Sequence, residues 1–143
     1  MNYTSDLYET PPELFDSLQA EIGKFTWDLC AEKTTSKCGD RYFGIDNGHD
    51  SLEQQWCKIK GWLWCNPPYS NPLPWIQKAS EGAKLGAKVA MLLPSDTSTV
   101  WFHKYIYKGK NCKFWFLESR VRFLYNGIKQ GSPKFGSIVA VFR

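Results

Sequence analysis

Gly61-Trp62-Leu63-Trp64-Cys65-Asn66-Pro67-Pro68-Tyr69 passes within nine residues from an apolar run to a stiff polar corner, and the reading of the whole chain turns on it. Gly61 to Cys65 is apolar almost throughout, the pattern of a strand covered on both faces rather than one alternating between core and water. Two successive prolines then end it, because neither has an N–H to give to a ladder and each fixes φ near about −65°.

Working downstream, a helix is expected over roughly Leu73 to Leu85, with Trp75, Ile76, Ala79 and Ala83 facing inward. Val89 to Leu93 reads as a second buried strand ended by Pro94. A helix from about Thr99 to Lys108 should close at Gly109, and strands at Lys113 to Leu117 and Ile138 to Phe142 flank a segment rich in Arg, Asn, Gly, Ser and Pro. Upstream, Thr10-Pro11-Pro12-Glu13 has the form of a helix start, with a threonine cap, prolines in the first turn and the acid of a capping box. Leu14, Leu18 and Ile22 share one face of that helix and Gly23 stops it. Phe25 to Cys30 reads as a short strand ending near Asp28, and Tyr42 to Ile45 as another. Ser51 with Gln54 resembles a second capping box, before a brief helix carrying Leu52 and Trp56.

Strands alternating with helices predict the α/β class, with a mainly parallel central sheet and helices on both faces. Ligands of open sheets of this kind collect beyond the carboxyl ends of the strands. Asp28 and Asn66 occupy two such ends and are expected to face one cleft.

Hydrophobic residues at 43% and aromatics at 16% are enough for a packed core and argue against long disorder. One domain is expected over residues 1–143. The start lacks a basic patch followed by an apolar run, and no stretch approaches the ~20 apolar residues of a membrane span, so a cytoplasmic protein is expected. Cys30 and Cys38 repeat the spacing of Cys57 and Cys65, which could assemble four zinc ligands. Structural zinc ligands usually come in tight local pairs, however, so no metal is expected.

The net charge of +4 hides an asymmetry. Between Lys104 and Lys134 eight basic residues face the single acid Glu118, so this segment carries +7 and the remainder −3. That division suits a body presenting a basic surface to a phosphate polymer, with Lys104, Arg120, Arg122, Lys129 and Lys134 as candidate contacts.

The corner itself suggests a chemistry. An aromatic exocyclic amine is a poor nucleophile because its lone pair is delocalised into the ring, and two acceptors aimed at its hydrogens would localise that pair as a new bond forms. Asn66 can offer its side-chain oxygen, the rigid Pro67-Pro68 backbone can hold a carbonyl in a fixed direction, and Tyr69 offers a ring for a planar base. Methylation of a cytosine ring carbon would instead want a cysteine nucleophile after a proline, and the chain has no Pro-Cys dipeptide.

With these residues in view, the sequence resembles the phage-type DNA adenine methyltransferases, which modify the exocyclic amine. The resemblance runs through Tyr8-Glu9-Thr10-Pro11, Phe25-Thr26-Trp27-Asp28-Leu29-Cys30-Ala31, and Cys65-Asn66-Pro67-Pro68-Tyr69-Ser70 with Trp75 following. Leu92-Leu93-Pro94, Trp101-Phe102-His103, Arg120-Val121-Arg122-Phe123 and Ser132-Pro133-Lys134-Phe135-Gly136-Ser137 extend it toward the carboxyl end. Asn-Pro-Pro-Tyr alone is shared with methylases of protein glutamine, but the ordered combination is more specific.

The resemblance implies a Rossmann-like fold using S-adenosylmethionine, with double-stranded DNA as the partner and the chain a monomer or weak homodimer. It places Asp28 beside the methionine part of the donor, with Cys30 next to it and Ala31 allowing close approach. Asp46 or Asp50 would meet its ribose or adenine, Thr10 and Pro11 would border it, and Asn66 would lie between donor and base. No Gly-x-Gly pair follows the first strand, where many methyltransferases carry one; Asp-x-Cys-Ala stands there instead. A methylase of RNA or of protein glutamine and a silent nucleic-acid-binding module are the competing readings. Glutamine methylases usually add a Gly-rich loop and a helical domain, and a silent module would be expected to have lost Asn66 or Tyr69.

Overall fold

The computed structural model describes residues 4–143. Five strands form the main sheet in the order β1-β2-β3-β7-β4: β1 (Phe25–Asp28), β2 (Trp62–Cys65), β3 (Lys88–Pro94), β7 (Ser137–Phe142) and β4 (Cys112–Phe116). β1, β2 and β3 are parallel neighbours, while β7 is antiparallel to both β3 and β4. Four strands therefore run one way and one runs back. The reversed strand has a simple cause: no helix lies between β4 and β7 to carry the chain to the far end of the sheet, and a parallel return needs such a crossover.

The apolar runs alternate as two-sided strands should. Leu63, Cys65, Val89, Met91, Leu93, Ile138, Ala140 and Phe142 pack on one face, with Ile76, Ala79 and Ala83 of α2 (Leu73–Lys84) and Phe102 and Ile106 beyond it. Trp64, Ala90, Leu92 and Val139 pack on the other face with Phe15 and Leu18 of α1 (Pro12–Ile22) and with Val121 and Phe123. Helices thus cover both faces, as the alternation predicts.

Several local expectations need correction. Pro11, not Thr10, holds the cap position of α1, and no side-chain bond caps the helix; the Thr10 hydroxyl is used elsewhere. The expected strand over Tyr42 to Ile45 shrinks to one bridge beside Asp28, with Asp28 N donating to the Arg41 carbonyl and Phe43 N to the Asp28 carbonyl. It stops at Gly44, where the backbone passes so close to the Ala31 carbonyl oxygen that any Cβ would overlap it. The helix expected after Ser51 divides into two short 3₁₀ turns, Ser51–Glu53 and Trp56–Lys58, and Asp50 rather than Ser51 caps the first by accepting from Leu52 N at 3.0 Å. The helix expected over Thr99 to Lys108 winds as a π-helix at Phe102–Tyr107, closed by Lys108 N to the His103 carbonyl at 3.0 Å. The wider turn accompanies stacking of Tyr107 on Phe102, with centroids 6.1 Å apart.

The irregular segment between β4 and β7 contains a two-stranded hairpin, β5 (Leu124–Tyr125) and β6 (Ile128–Lys129). Its turn is Asn126-Gly127, both with positive φ, 51° and 75°. An Asn-Gly pair is the strongest short-range hairpin signal, because asparagine and glycine tolerate that conformation best.

Candidate active site

Asp28 pairs with Trp64 across β1 and β2, and Leu29 N donates to the Trp64 carbonyl at 2.8 Å, so the ends of these parallel strands lie side by side. Beyond them opens a cavity of about 1100 Å³, lined from β1 by Asp28, Cys30 and Ala31 and from β2 by Asn66 and Pro68. The diproline corner thus faces a cleft rather than open solvent.

Within the corner the residues divide. Asn66 Nδ2 donates to the Tyr8 carbonyl at 3.1 Å and to Thr10 Oγ1 at 3.2 Å. Its two amide protons are thereby used, and Oδ1 is left as the acceptor. The Pro68 carbonyl accepts from Asn71 N at 3.4 Å, whereas among the described residues no backbone donor takes the Pro67 carbonyl. Pro67 is buried and does not line the cavity. Tyr69 does not line it either: its hydroxyl donates to the Leu92 carbonyl at 3.0 Å, and its ring meets Phe123 and Phe135 edge-on.

Asp28 is 2% exposed. Burial raises its carboxyl to about 7, against the pull of the backbone N–H groups of Lys37 and Cys30 and of the Lys37 charge. Cys30, half-buried, is pushed up to about 12 by desolvation and by the neighbouring Asp28 charge, and stays a thiol at neutral pH. A buried carboxylate without a paired cation is costly, so this wall of the cavity favours a positively charged guest.

The other acids separate. Asp46 accepts from Lys33 N at 2.8 Å and from the Tyr42 hydroxyl at 3.1 Å, ties down its own loop and does not line the cavity. Asp50 does line it and is exposed. Beside it, Ser51 is 4% exposed, and its hydroxyl finds no partner among the described residues. Phe43 and Trp75 add flat apolar wall. Thr10 lines the cavity but Pro11 does not; the Pro11 carbonyl starts α1 by accepting from Phe15 N at 3.1 Å.

The basic candidates fall into two places. Arg120 donates to the Pro133 carbonyl at 3.0 Å and Arg122 to the Gln130 carbonyl at 3.0 Å, which closes the segment around the hairpin on itself. Lys129 pairs with Glu13 at 3.2 Å, and Lys134 is exposed. Lys104 lies on the π-helix, whose Phe102 and Ile106 pack on the opposite sheet face from Val121 and Phe123. Continuity in sequence does not make one surface of the five.

Residues 1–143 match the family model described as DNA N-6-adenine-methyltransferase (Dam). The chain belongs to this family. It is 37% identical over 97 residues to the DNA N-6-adenine-methyltransferase of Escherichia phage T1, a match covering 68% of this chain and 39% of that one. It is 34% identical over 124 residues to the DNA N-6-adenine-methyltransferase of Haemophilus phage HP1 (strain HP1c1), covering 85% and 68% respectively. The chain therefore spans about two fifths of the T1 relative and about two thirds of the HP1 relative. No solved structure matches it.

Several cavity residues of this DNA N-6-adenine-methyltransferase family member escape sequence reasoning. Glu9 pairs in antiparallel fashion with Leu124, its N–H donating at 2.8 Å and its carbonyl accepting at 2.9 Å, and Glu9 Oε2 accepts from Gly127 N at 3.2 Å. These bonds bring Asn126 and Gly127 of the hairpin turn to the cavity rim. The Asn-Gly signal could have found the hairpin, but nothing in the sequence says that it pairs with residue 9. Ile45, 97% exposed at the same rim, is likewise an apolar side chain that belongs to neither core.

Proposed function

We propose that this chain transfers a methyl group from S-adenosylmethionine to the exocyclic N6 amine of an adenine in double-stranded DNA, on a Rossmann-like framework, with the base turned out of the duplex into the cavity. One observation carries the reading: the Asn66 amide, at the end of β2, spends both protons on the chain and keeps its oxygen as an acceptor at the wall of a cavity that also holds a buried carboxylate.

When bound, S-adenosylmethionine supplies a methyl group already activated by its sulfonium. The residues suited to hold it are Asp28, toward the ammonium of the methionine part, Cys30 and Ala31 on the adjoining wall, and Asp50 toward ribose or adenine. Asp46, which does not line the cavity, is the weaker candidate for that last role. Asn66 Oδ1, at the cavity wall, accepts one N–H of the target amine and draws the nitrogen lone pair out of the ring; the Pro67 carbonyl, free of a backbone donor but behind that wall, would take the other N–H only once the corner shifts toward the base. Tyr69 supports the corner from beneath and would give a base its ring only by leaving Phe123 and Phe135. High thiol pKa values at Cys30 and Cys65, both from burial, speak against a cysteine nucleophile and so against ring-carbon methylation.

Turning a base out costs a few kcal/mol of stacking and pairing, offset by phosphate contacts. Arg120, Arg122, Lys129 and Lys134 serve that grip; Lys104, on the other sheet face, does not join it. Incubation with methyl-labelled S-adenosylmethionine and, separately, duplex DNA, RNA or a glutamine-containing protein tests the reading. Label is expected in DNA alone, and label in RNA or protein would replace DNA as the substrate.

A further inference from the structure

The Thr10 hydroxyl has a partner that neither helix capping nor donor binding explains. It is 2% exposed and lies 3.2 Å from Asn66 Nδ2, with the Tyr8 carbonyl 3.1 Å from the same nitrogen. A carbonyl oxygen only accepts, so the Asn66 amide cannot turn over without setting its own oxygen against the Tyr8 oxygen. The orientation that presents Oδ1 to the cavity is therefore fixed from behind by residues 8 and 10. We infer that Thr10 is a positioning residue for methyl transfer: with the Tyr8 carbonyl it locks the Asn66 amide in the rotamer and sense that expose its oxygen. This inference rests on the function proposed above.

The lock is itself held in place. Asp6 accepts from Ser70 N at 2.8 Å and from the Ser70 hydroxyl at 2.6 Å, fastening residues 6 to 10, a strap over the site, to the chain just after the diproline corner. Tyr8 stacks on Phe123 with centroids 5.1 Å apart and planes inclined by 15°, and Glu9 pairs with Leu124. Residues 6 to 10 thus join the corner to the hairpin. The orientation of a single amide depends on both anchors, and a misplaced catalytic oxygen lowers rate far more than it lowers ligand affinity.

Two substitutions test the lock. Thr10→Val keeps the shape of the side chain but leaves an Asn66 N–H buried beside a methyl group; Thr10→Ser restores the acceptor. Thr10→Val should lower kcat by roughly 10-fold to 100-fold, with the Kd for S-adenosylmethionine measured by calorimetry within about twofold. Thr10→Ser should recover most of the rate. In the ligand-free protein, the Asn66 side-chain amide should exchange its hydrogens slowly, and that protection should be lost in Thr10→Val and kept in Thr10→Ser. A Thr10→Val protein with weakened donor binding and unchanged kcat would make Thr10 a donor contact instead. An Asn66 amide exchanging equally fast in all three proteins would overturn the lock. The exchange measurement does not depend on which substrate is methylated, so it separates failure of the lock from failure of the proposed function.

Discussion

The corner at the end of β2 and the turn of the hairpin both line the cavity, yet the corner and the basic residues that flank the hairpin spend their polar groups in opposite ways. At the corner, every bond that Asn66 makes is buried or half-buried, and the bonds together leave one oxygen unspent. In the basic segment, Arg120, Arg122 and Lys129 are exposed and already hydrogen-bonded within the chain. The first arrangement fixes an atom in space to about the precision of a hydrogen bond. The second fixes a loop and keeps its charge available to phosphates, since a guanidinium with five N–H donors can hold a carbonyl and still meet an anion. On the proposed function, the chemistry calls for rigidity and the DNA grip for charge on a shaped surface.

The largest effect is expected at the rigid region. Asn66→Ala should lower kcat by roughly 10²-fold to 10³-fold or more, the scale for loss of one preorganised polar group at a reacting atom. Calorimetric affinity for S-adenosylmethionine should stay within a few fold. Full turnover in that variant would remove the distinction between corner and hairpin altogether.

Next comes the buried carboxylate. The folded protein holds the Asp28 proton up to about pH 7, against an ordinary value of 3.8. The native state therefore binds more protons than the unfolded one between these limits, and stability from this group falls as pH rises through that window. The ligand-free protein should melt at a higher temperature at pH 5.5 than at pH 8, while affinity for the cationic donor should fall over the same descent in pH. Asp28→Asn should flatten both trends, and comparison with it separates Asp28 from His49, which lines the same cavity. A donor Kd that ignores pH in the wild type and the variant alike would release Asp28 from the site.

Smaller effects belong to the exposed region. Arg120→Ala with Arg122→Ala should reduce the slope of log affinity against log salt by roughly one for each phosphate that the protein no longer touches. Each should also loosen the segment by about 1 kcal/mol or less, because its bond to a carbonyl is gone. An unchanged slope would move the grip to another surface. Lys129→Ala should leave the melting temperature unaltered within error, because both partners of the Lys129–Glu13 pair are exposed to solvent, while still weakening DNA binding. A clear drop in melting temperature would show that the pair is structural.

How much of this was legible in sequence follows the same division. The buried strands, α1, α2 and the cleft between Asp28 and Asn66 could be read because apolar runs and prolines act locally. The strap could not, because its bonds from Asn66 reach back 58 and 56 residues, to Tyr8 and Thr10. Thr10 before two prolines looks like a helix cap by every local rule, and a long-range partner overrides it. The hairpin was legible in Asn126-Gly127 and was hidden only by the polar residues around it. The charge of residues 104–134 was read correctly as charge but not as a surface, since a π-helix and a hairpin carry its two ends to opposite faces of one sheet.

The role of the corner stands or falls on the atom to which the methyl group becomes attached. Duplex DNA treated with the protein and methyl-labelled S-adenosylmethionine, then digested to nucleosides and resolved by mass spectrometry, should carry the label on N6 of adenine. With Asn66→Ala, which should still bind the donor, that label should vanish. Label on a cytosine ring carbon, or N6-methyladenine formed as fast by Asn66→Ala as by the wild type, would contradict it.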